Sequence, residues 1–325
     1  MSGIKITGQK RLVIVSGRAY PELAQQIADE LGSELVPTDA RTFASSEIYA
    51  RYDESVRGCD AFVIQSHTAP INEWLMEQLI MVDALKRASA KRITVVAPYY
   101  PYARQDKKGR GREPISARLV ADLFKVAGAD RIMSVDLHAA QIQGFFDGPV
   151  DHLFAMPVLL EHFRNNLDTD NLTVVSPDMG RVRVADVWSD KLGSPLAIIH
   201  KRRDPLVANK VTVHDIVGDV EGRVCLIVDD IIDTGGTIVK ASEALKSAGA
   251  LSVVVAATHA VFSDPAPKIL QSEFIDSVVV TDTLPVPESK RFPSLTVLSI
   301  APLLARAIHE VFDDGSVTSM FDGAA

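Results

Sequence analysis

Cysteine is nearly missing from these 325 residues: Cys59 and Cys225 are the only two. Cys225 lies in an apolar, strand-like run, which argues against a structural disulfide and makes a reducing cytoplasm the expected compartment. Long apolar runs are also missing. None approaches the roughly 20 residues needed to span a bilayer, and Met1 to Arg11 has no continuous apolar stretch of the signal-peptide kind, so no membrane association is expected. Neither G-x-x-x-x-G-K-[ST] nor G-x-G-x-x-G occurs, which argues against an ordinary nucleotide kinase and a dinucleotide-binding enzyme. Excess positive charge is absent too: the net charge of −8 speaks against general nucleic-acid binding.

Basic residues are instead concentrated. Arg104, Lys107, Lys108, Arg110 and Arg112 cluster around Asp106, and Lys201, Arg202 and Arg203 form a second group. Two basic clusters in an acidic chain suggest small anionic ligands; solvated loops are the plainer alternative.

An apolar content of 47% can fill two cores, and the length suits two domains of about 150 residues. Strand-like runs (Leu12–Val15, Ala61–Gln65, Ile93–Ala97, Ile132–Val135) alternate with helical patterns. One helix opens at Pro114, its residues Ile115, Leu119, Leu123 and Val126 sharing one apolar face. The alternation resumes with Leu172–Val175, Ala197–Ile199, Val224–Val228, Val253–Ala256, Val278–Val280 and Thr296–Leu298. This predicts an α/β chain with parallel sheets covered by helices on both faces. The expected division is 1–155, 156–308 and a C-terminal segment, 309–325, returning to the first domain. Ligands of open α/β sheets gather at the carboxyl ends of strands. Asp136-Leu137-His138 and Asp229-Asp230 both follow strands, and are expected to face one cleft.

The most informative stretch is Val224-Cys225-Leu226-Ile227-Val228-Asp229-Asp230-Ile231-Ile232-Asp233-Thr234-Gly235-Gly236-Thr237. It reads as a buried strand, a carboxylate pair, a glycine turn and a helix start. Backbone N–H groups at such a turn hold a phosphate. The carboxylates would repel that phosphate, so they face sugar hydroxyls or a metal. A phosphorylated ribose meets both demands. A plain strand–helix connection with helix-capping aspartates is the alternative for the turn alone.

Two further stretches follow strands. Tyr99-Tyr100-Pro101-Tyr102-Ala103-Arg104-Gln105-Asp106-Lys107-Lys108 combines stiff residues with groups suited to polyphosphate and base recognition. In Asp136-Leu137-His138-Ala139-Ala140-Gln141-Ile142-Gln143-Gly144-Phe145-Phe146 the histidine could ligate a metal or contact a phosphate. With Glu54-Ser55-Val56-Arg57-Gly58 upstream, these motifs occur in an order that resembles the ribose-phosphate pyrophosphokinases, also called phosphoribosyl diphosphate synthetases, from about Leu12 to Phe321. The likeness is to bacterial enzymes of the phosphate-activated class.

The resemblance implies two type I phosphoribosyltransferase-like domains, each a mainly parallel sheet flanked by helices. It implies transfer of the β,γ-diphosphoryl group of ATP to the anomeric hydroxyl of ribose 5-phosphate, with Mg²⁺ as cofactor. Asp233, Thr234, Gly235, Gly236 and Thr237 would cradle the 5-phosphate, and Asp229 and Asp230 the ribose hydroxyls. Arg104, Gln105 and Asp106 belong to the ATP loop. His138 would sit by the ATP phosphates and one Mg²⁺, with Asp178 serving a second. Lys201 and Arg203, at the start of a catalytic loop, would close over the transferring group, Arg203 also reaching the ribose 5-phosphate. Phe43, Ser45, Ser46 and Glu47 match an adenine loop donated by a neighbouring subunit, so a homo-oligomer, usually a hexamer, is implied. Ser55, Arg57, Gln143, Asp151, Ser316 and Phe321 match an interface site for phosphate and ADP as effectors. A type I phosphoribosyltransferase and a non-catalytic regulatory relative of the synthetase are the alternatives. Two positions depart from the family's usual residues: Ser45 replaces Asn or Asp, and Gly180-Arg181 replaces a glycine pair.

Overall fold

The computed structural model describes residues 10–201 and 214–321, with Lys201 and His214 as backbone alone. The chain divides into two compact units, one of residues 1–153 with 301–325 and one of residues 154–300.

The first unit runs β1 (Leu12–Ser16), α1 (Pro21–Glu30), a hairpin of β2 (Thr38–Thr42) and β3 (Ile48–Tyr52), β4 (Asp60–Ile64), α2 (Ile71–Arg87), β5 (Arg92–Val96), α3 (Ser116–Ala127), β6 (Arg131–Val135) and β7 (Val150–Leu153). Five strands form one parallel sheet in the order β1-β4-β5-β6-β7. Every residue of β4 is buried, as expected of a strand covered on both faces. Helix α1 starts on Pro21, whose fixed φ suits the first turn, and it buries Leu23, Ala24, Ile27 and Ala28 as one stripe. The β2–β3 hairpin pairs only with itself.

The second unit runs α4 (Met156–Asn166), β8 (Leu172–Ser176), α5 (Val182–Leu192), β9 (Leu196–Lys201), β10 (His214–Val217), β11 (Val224–Ile232), α6 (Gly236–Ser247), β12 (Ser252–Ala260), α7 (Ala266–Ile269), β13 (Ser277–Thr281) and β14 (Leu295–Leu298). Its seven-stranded sheet has the order β10-β9-β8-β11-β12-β13-β14. All pairings are parallel except β9 with β10. From β8 the chain crosses through α5 to β9 on one side, and from β11 through α6 to β12 on the other. The β8/β11 boundary is therefore the point where strand order reverses and a crevice opens.

Helix α8 (Ala301–Phe312) belongs to the first unit and packs on α1. It buries Leu304, Ala305, Ala307 and Ile308, so the chain rejoins this unit at 301 rather than near 308. Asp314, just beyond, accepts from Lys10 and from Arg92 Nη1 at 2.7 Å, while Arg92 Nε also donates to Asp60 at 2.9 Å.

Two elements differ in detail from their apolar pattern. The Ile115, Leu119, Leu123 and Val126 face of α3 is exposed. Ala117, Val120, Ala121 and Phe124 face the core instead. Two apolar stripes compete on this helix, and the one with two alanines allows the closer approach. Strand β11 also runs four residues past Val228, because β12 keeps pairing with it as far as Ile232 opposite Ala260.

His67, three residues past β4, is fully buried, with Nδ1 3.2 Å from the Tyr99 carbonyl. Burial holds its pKa down at about 4, whereas an unfolded histidine titrates near 6.5. Between those values the unfolded chain binds the extra proton. Stability is therefore lost as pH falls from about 6.5 to about 4, by up to about 1.4 kcal/mol per unit. Urea midpoints measured across that window should fall toward acid, and His67→Phe should flatten the slope.

Candidate functional site

In the second unit, Asp229 and Asp230 stand on β11 at the strand-order reversal. Pairing with β8 stops at Ile227 opposite Val175, so on that side β11 is open beyond Val228. The loop after β8 carries Asp178, Gly180 and Arg181. Asp178 Oδ1 accepts from Gly180 N–H at 2.8 Å, and its carbonyl accepts from Ser176 Oγ at 2.8 Å. Arg181 reaches across with Nε 3.3 Å from Asp229 Oδ1 and Nη2 2.5 Å from Asp230 Oδ1. Asp229 Oδ1 also accepts the Asp230 N–H at 2.9 Å. Burial and the adjacent Asp230 carboxylate push the Asp229 carboxyl well above its ordinary range, against the pull of the Arg181 guanidinium.

The glycine turn follows at once. Gly235 has φ +77°, a left-handed conformation that a side chain would strain, and it stands immediately before α6. The first helical bond is Val239 N–H to the Gly235 carbonyl. The N–H groups of Gly236, Thr237 and Ile238 are thus the ones a helix leaves without an intrahelical partner, at its positive end. Thr234 and Thr237 are exposed and Asp233 is half-buried beside them. Asp229, Asp230, Asp233, Thr234, Gly235, Gly236 and Thr237 are contiguous on one strand end and turn, an arrangement able to receive a phosphate and a diol.

In the first unit, the loops after β5 and β6 lie on neighbouring strands. Arg104 and Gln105 are exposed in the β5 loop. Gln105 Oε1 accepts from Ser116 Oγ at 2.6 Å, and Tyr100 OH donates to the Ala117 carbonyl at 2.9 Å, so α3 anchors this loop twice. Asp106 is buried and accepts from Gln141, tying the loop to the turn after β6. In the β6 loop Asp136 takes φ +40°, and His138 is half-buried two residues on. Leu137 N–H donates to His152 Nε2 at 2.9 Å. Gln143 Nε2 lies 3.2 Å from His152 Nδ1 on the other side of the ring.

Phe43, Ser45, Ser46 and Glu47 form the tip of the β2–β3 hairpin. Ser46 is left-handed at φ +71°, Ser45 Oγ donates to Glu47 Oε2 at 2.8 Å, and Phe43 is 45% exposed. The Arg41 guanidinium lies 5.7 Å from the Phe43 ring centre and 4.9 Å from that of Tyr49. Ser55, Arg57 and Ser316 are exposed, whereas Phe321 is buried. Asp151 accepts from Arg131 at 2.7 and 2.9 Å, but burial still raises its pKa. The backbone of Lys201 ends β9 opposite His214, and Arg203 lies outside the described residues. Arg181 is the residue whose contact with the carboxylate pair sequence reading missed; its one signal was a charge where glycine is usual.

Among the described residues, no three His, Cys, Asp or Glu converge on a point that could hold a metal ion by protein alone. Among the same residues no helix is long and apolar enough to cross a membrane.

Residues 12–128 match a family model described as the N-terminal domain of ribose phosphate pyrophosphokinase, and residues 205–322 one described as the phosphoribosyl synthetase-associated domain. The ribose-phosphate pyrophosphokinase of Streptomyces avermitilis is 64% identical over 322 residues, 99% of each chain. That of Mycobacterium tuberculosis is 62% identical over 318 residues, 98% of each. The crystal structure of phosphoribosylpyrophosphate synthetase from Mycobacterium smegmatis superposes with a TM-score of 0.89 at 60% identity, covering 94% of this chain and all of that one. Whole-length identity at this level means that the chain belongs to the ribose-phosphate pyrophosphokinase family.

Proposed function

We propose that this chain transfers the β,γ-diphosphoryl group of ATP to the anomeric hydroxyl of ribose 5-phosphate, giving 5-phosphoribosyl 1-diphosphate and AMP. The observation that carries the reading is β11 running through Asp229 and Asp230 into a left-handed Gly235 and the N-terminus of α6. The N–H groups of that turn bind the 5-phosphate, with Asp233, Thr234 and Thr237 around it, and the two carboxylates accept from ribose hydroxyls. Arg104 and Gln105 bind ATP, with Asp106 holding their loop through Gln141. The hydroxyl oxygen bonds to the β-phosphorus in line. The bond from that phosphorus to the oxygen bridging it to the α-phosphorus breaks, and this oxygen leaves with AMP. The hydroxyl proton passes to solvent. Lys201 and Arg203 stabilise the charge on the transferring group, where a fixed cation counts most.

His138 and Asp178 are the residues that would hold Mg²⁺, which when bound neutralises phosphate oxygens. The Leu137–His152 contact sets the backbone beside His138, and Gly180 N–H orients Asp178.

The hairpin tip binds the adenine of a neighbouring copy, with Phe43 stacking on the base and Glu47 accepting from its amino group. Its support is the exposure of Phe43 on a hairpin that joins no sheet. The exposed Leu119, Leu123 and Val126 stripe of α3 supports association of copies into a homo-oligomer, a hexamer. Phe43→Ala is expected to raise the KM for ATP about tenfold, the scale of losing one stacked base, with the KM for ribose 5-phosphate unchanged. Steady-state kinetics on both substrates check this. Ser55, Arg57, Gln143, Asp151, Ser316 and Phe321 belong to an effector site for phosphate and ADP, and a cytoplasmic location completes the reading.

The experiment is a coupled assay for AMP from ATP and ribose 5-phosphate, with and without inorganic phosphate. AMP formation stimulated by phosphate is the expected result. Absence of AMP with either addition overturns the reading.

A further inference from the structure

Arg181 does something that neither the phosphate turn nor the ATP loop requires. It bridges the two carboxylates assigned to the sugar, and all three side chains are largely withdrawn from water: Arg181 is 15% exposed, Asp229 16% and Asp230 12%. Two adjacent, part-buried carboxylates repel each other and demand a cation. The turn places one there from the chain itself. The residue's backbone is unstrained, at φ −104°. Nor does its fork sit on one acid only, since Nε and Nη2 divide between Asp229 and Asp230.

We propose that Arg181 is a positioning residue, the built-in counter-ion that keeps Asp229 and Asp230 ready for ribose hydroxyls and keeps a divalent cation off this pair. The inference rests on the assignment of these carboxylates to the sugar. It separates them from Asp178: a metal ion near the sugar binds through Asp178, and the carboxylate pair does not compete for it. Without the guanidinium the pair captures metal, and ribose 5-phosphate must then displace that ion or bind through it.

The test is a titration of the ligand-free protein with Mn²⁺, following free Mn²⁺ by electron paramagnetic resonance. It compares the wild type, Arg181→Gln, Arg181→Lys and the double variant Arg181→Gln with Asp230→Asn. Arg181→Gln is expected to gain one Mn²⁺ per chain with affinity about tenfold above any wild-type binding, the scale of one charge-assisted contact. Arg181→Lys and the double variant should not gain it. In the AMP assay, Arg181→Gln should raise the KM for ribose 5-phosphate about tenfold, with the KM for ATP unchanged. Arg181→Lys should recover most of the loss. The proposal stands only if both the Mn²⁺ gain and the selective KM rise appear. An unchanged Mn²⁺ affinity, or equal rises for both substrates, overturns it. Arg181→Met serves in the same two measurements should Arg181→Gln fail to fold. If the wild type makes no AMP, the assigned reaction fails, while the Mn²⁺ titration still decides whether Arg181 guards the pair.

Discussion

Replacing Lys201 by alanine is expected to lower turnover by about 10²–10³, the scale of removing one group that stabilises charge only in the transition state. Lys201 is the last residue of β9, paired through its backbone with His214 on β10. The fully buried Ile199 two residues earlier belongs to the core of this unit. An interaction made mainly with the transferring diphosphoryl group changes kcat and leaves both KM values near their original level. AMP release at saturating substrates reads the effect, with circular dichroism to show an intact fold. Near-normal turnover in a folded variant would remove Lys201 from the mechanism.

Asp229→Asn is expected to raise the KM for ribose 5-phosphate by about 10–100-fold, the range for losing charged hydrogen bonds to the sugar. The change keeps size and shape, so the β11–β12 ladder, in which Asp229 lies opposite Ala257, is undisturbed. The ionised carboxylate is the form that accepts from two hydroxyls. Burial and Asp230 raise its pKa, and Arg181 opposes them. Protonation therefore begins closer to neutrality than for an ordinary aspartate, and wild-type KM for the sugar should rise as pH falls. The Asn variant cannot titrate at this position and should lose that acid limb. A profile of kcat/KM for ribose 5-phosphate against pH checks both statements, and identical profiles for the two proteins would contradict them.

The sheets were legible because buried parallel strands are continuous apolar runs. Leu172–Val175, Val224–Val228 and Val253–Ala256 announce β8, β11 and β12 by composition alone. The hairpin was not legible as strands: Thr-Asp-Ala-Arg-Thr and Ile-Tyr-Ala-Arg-Tyr bury no face completely and show no clean alternation. Which face of α3 meets the core was not legible for a related reason. Periodicity identifies a stripe, but not whether it meets a core or stays uncovered, and Ala117 and Ala121 carry too little hydrophobicity to flag the face that wins. At the site, Asp229 through Thr237 could be read off because strand, turn and helix start are consecutive in the chain. The Arg181 bridge could not, since its partners lie 48 and 49 positions away and only the fold brings them within reach. Likewise nothing local says that Asp106 is buried against Gln141, or that His152 on β7 supports the backbone next to His138.

The central claim is that a diphosphoryl group moves intact from ATP to the anomeric carbon's oxygen. It is tested most directly with ATP labelled at the β-phosphorus, ribose 5-phosphate as acceptor and separation of the products. One AMP without label is expected for each 5-phosphoribosyl 1-diphosphate, with the label in the phosphate attached to the ribose oxygen. Label remaining in a nucleoside diphosphate, with a single phosphate transferred to the sugar, would contradict it.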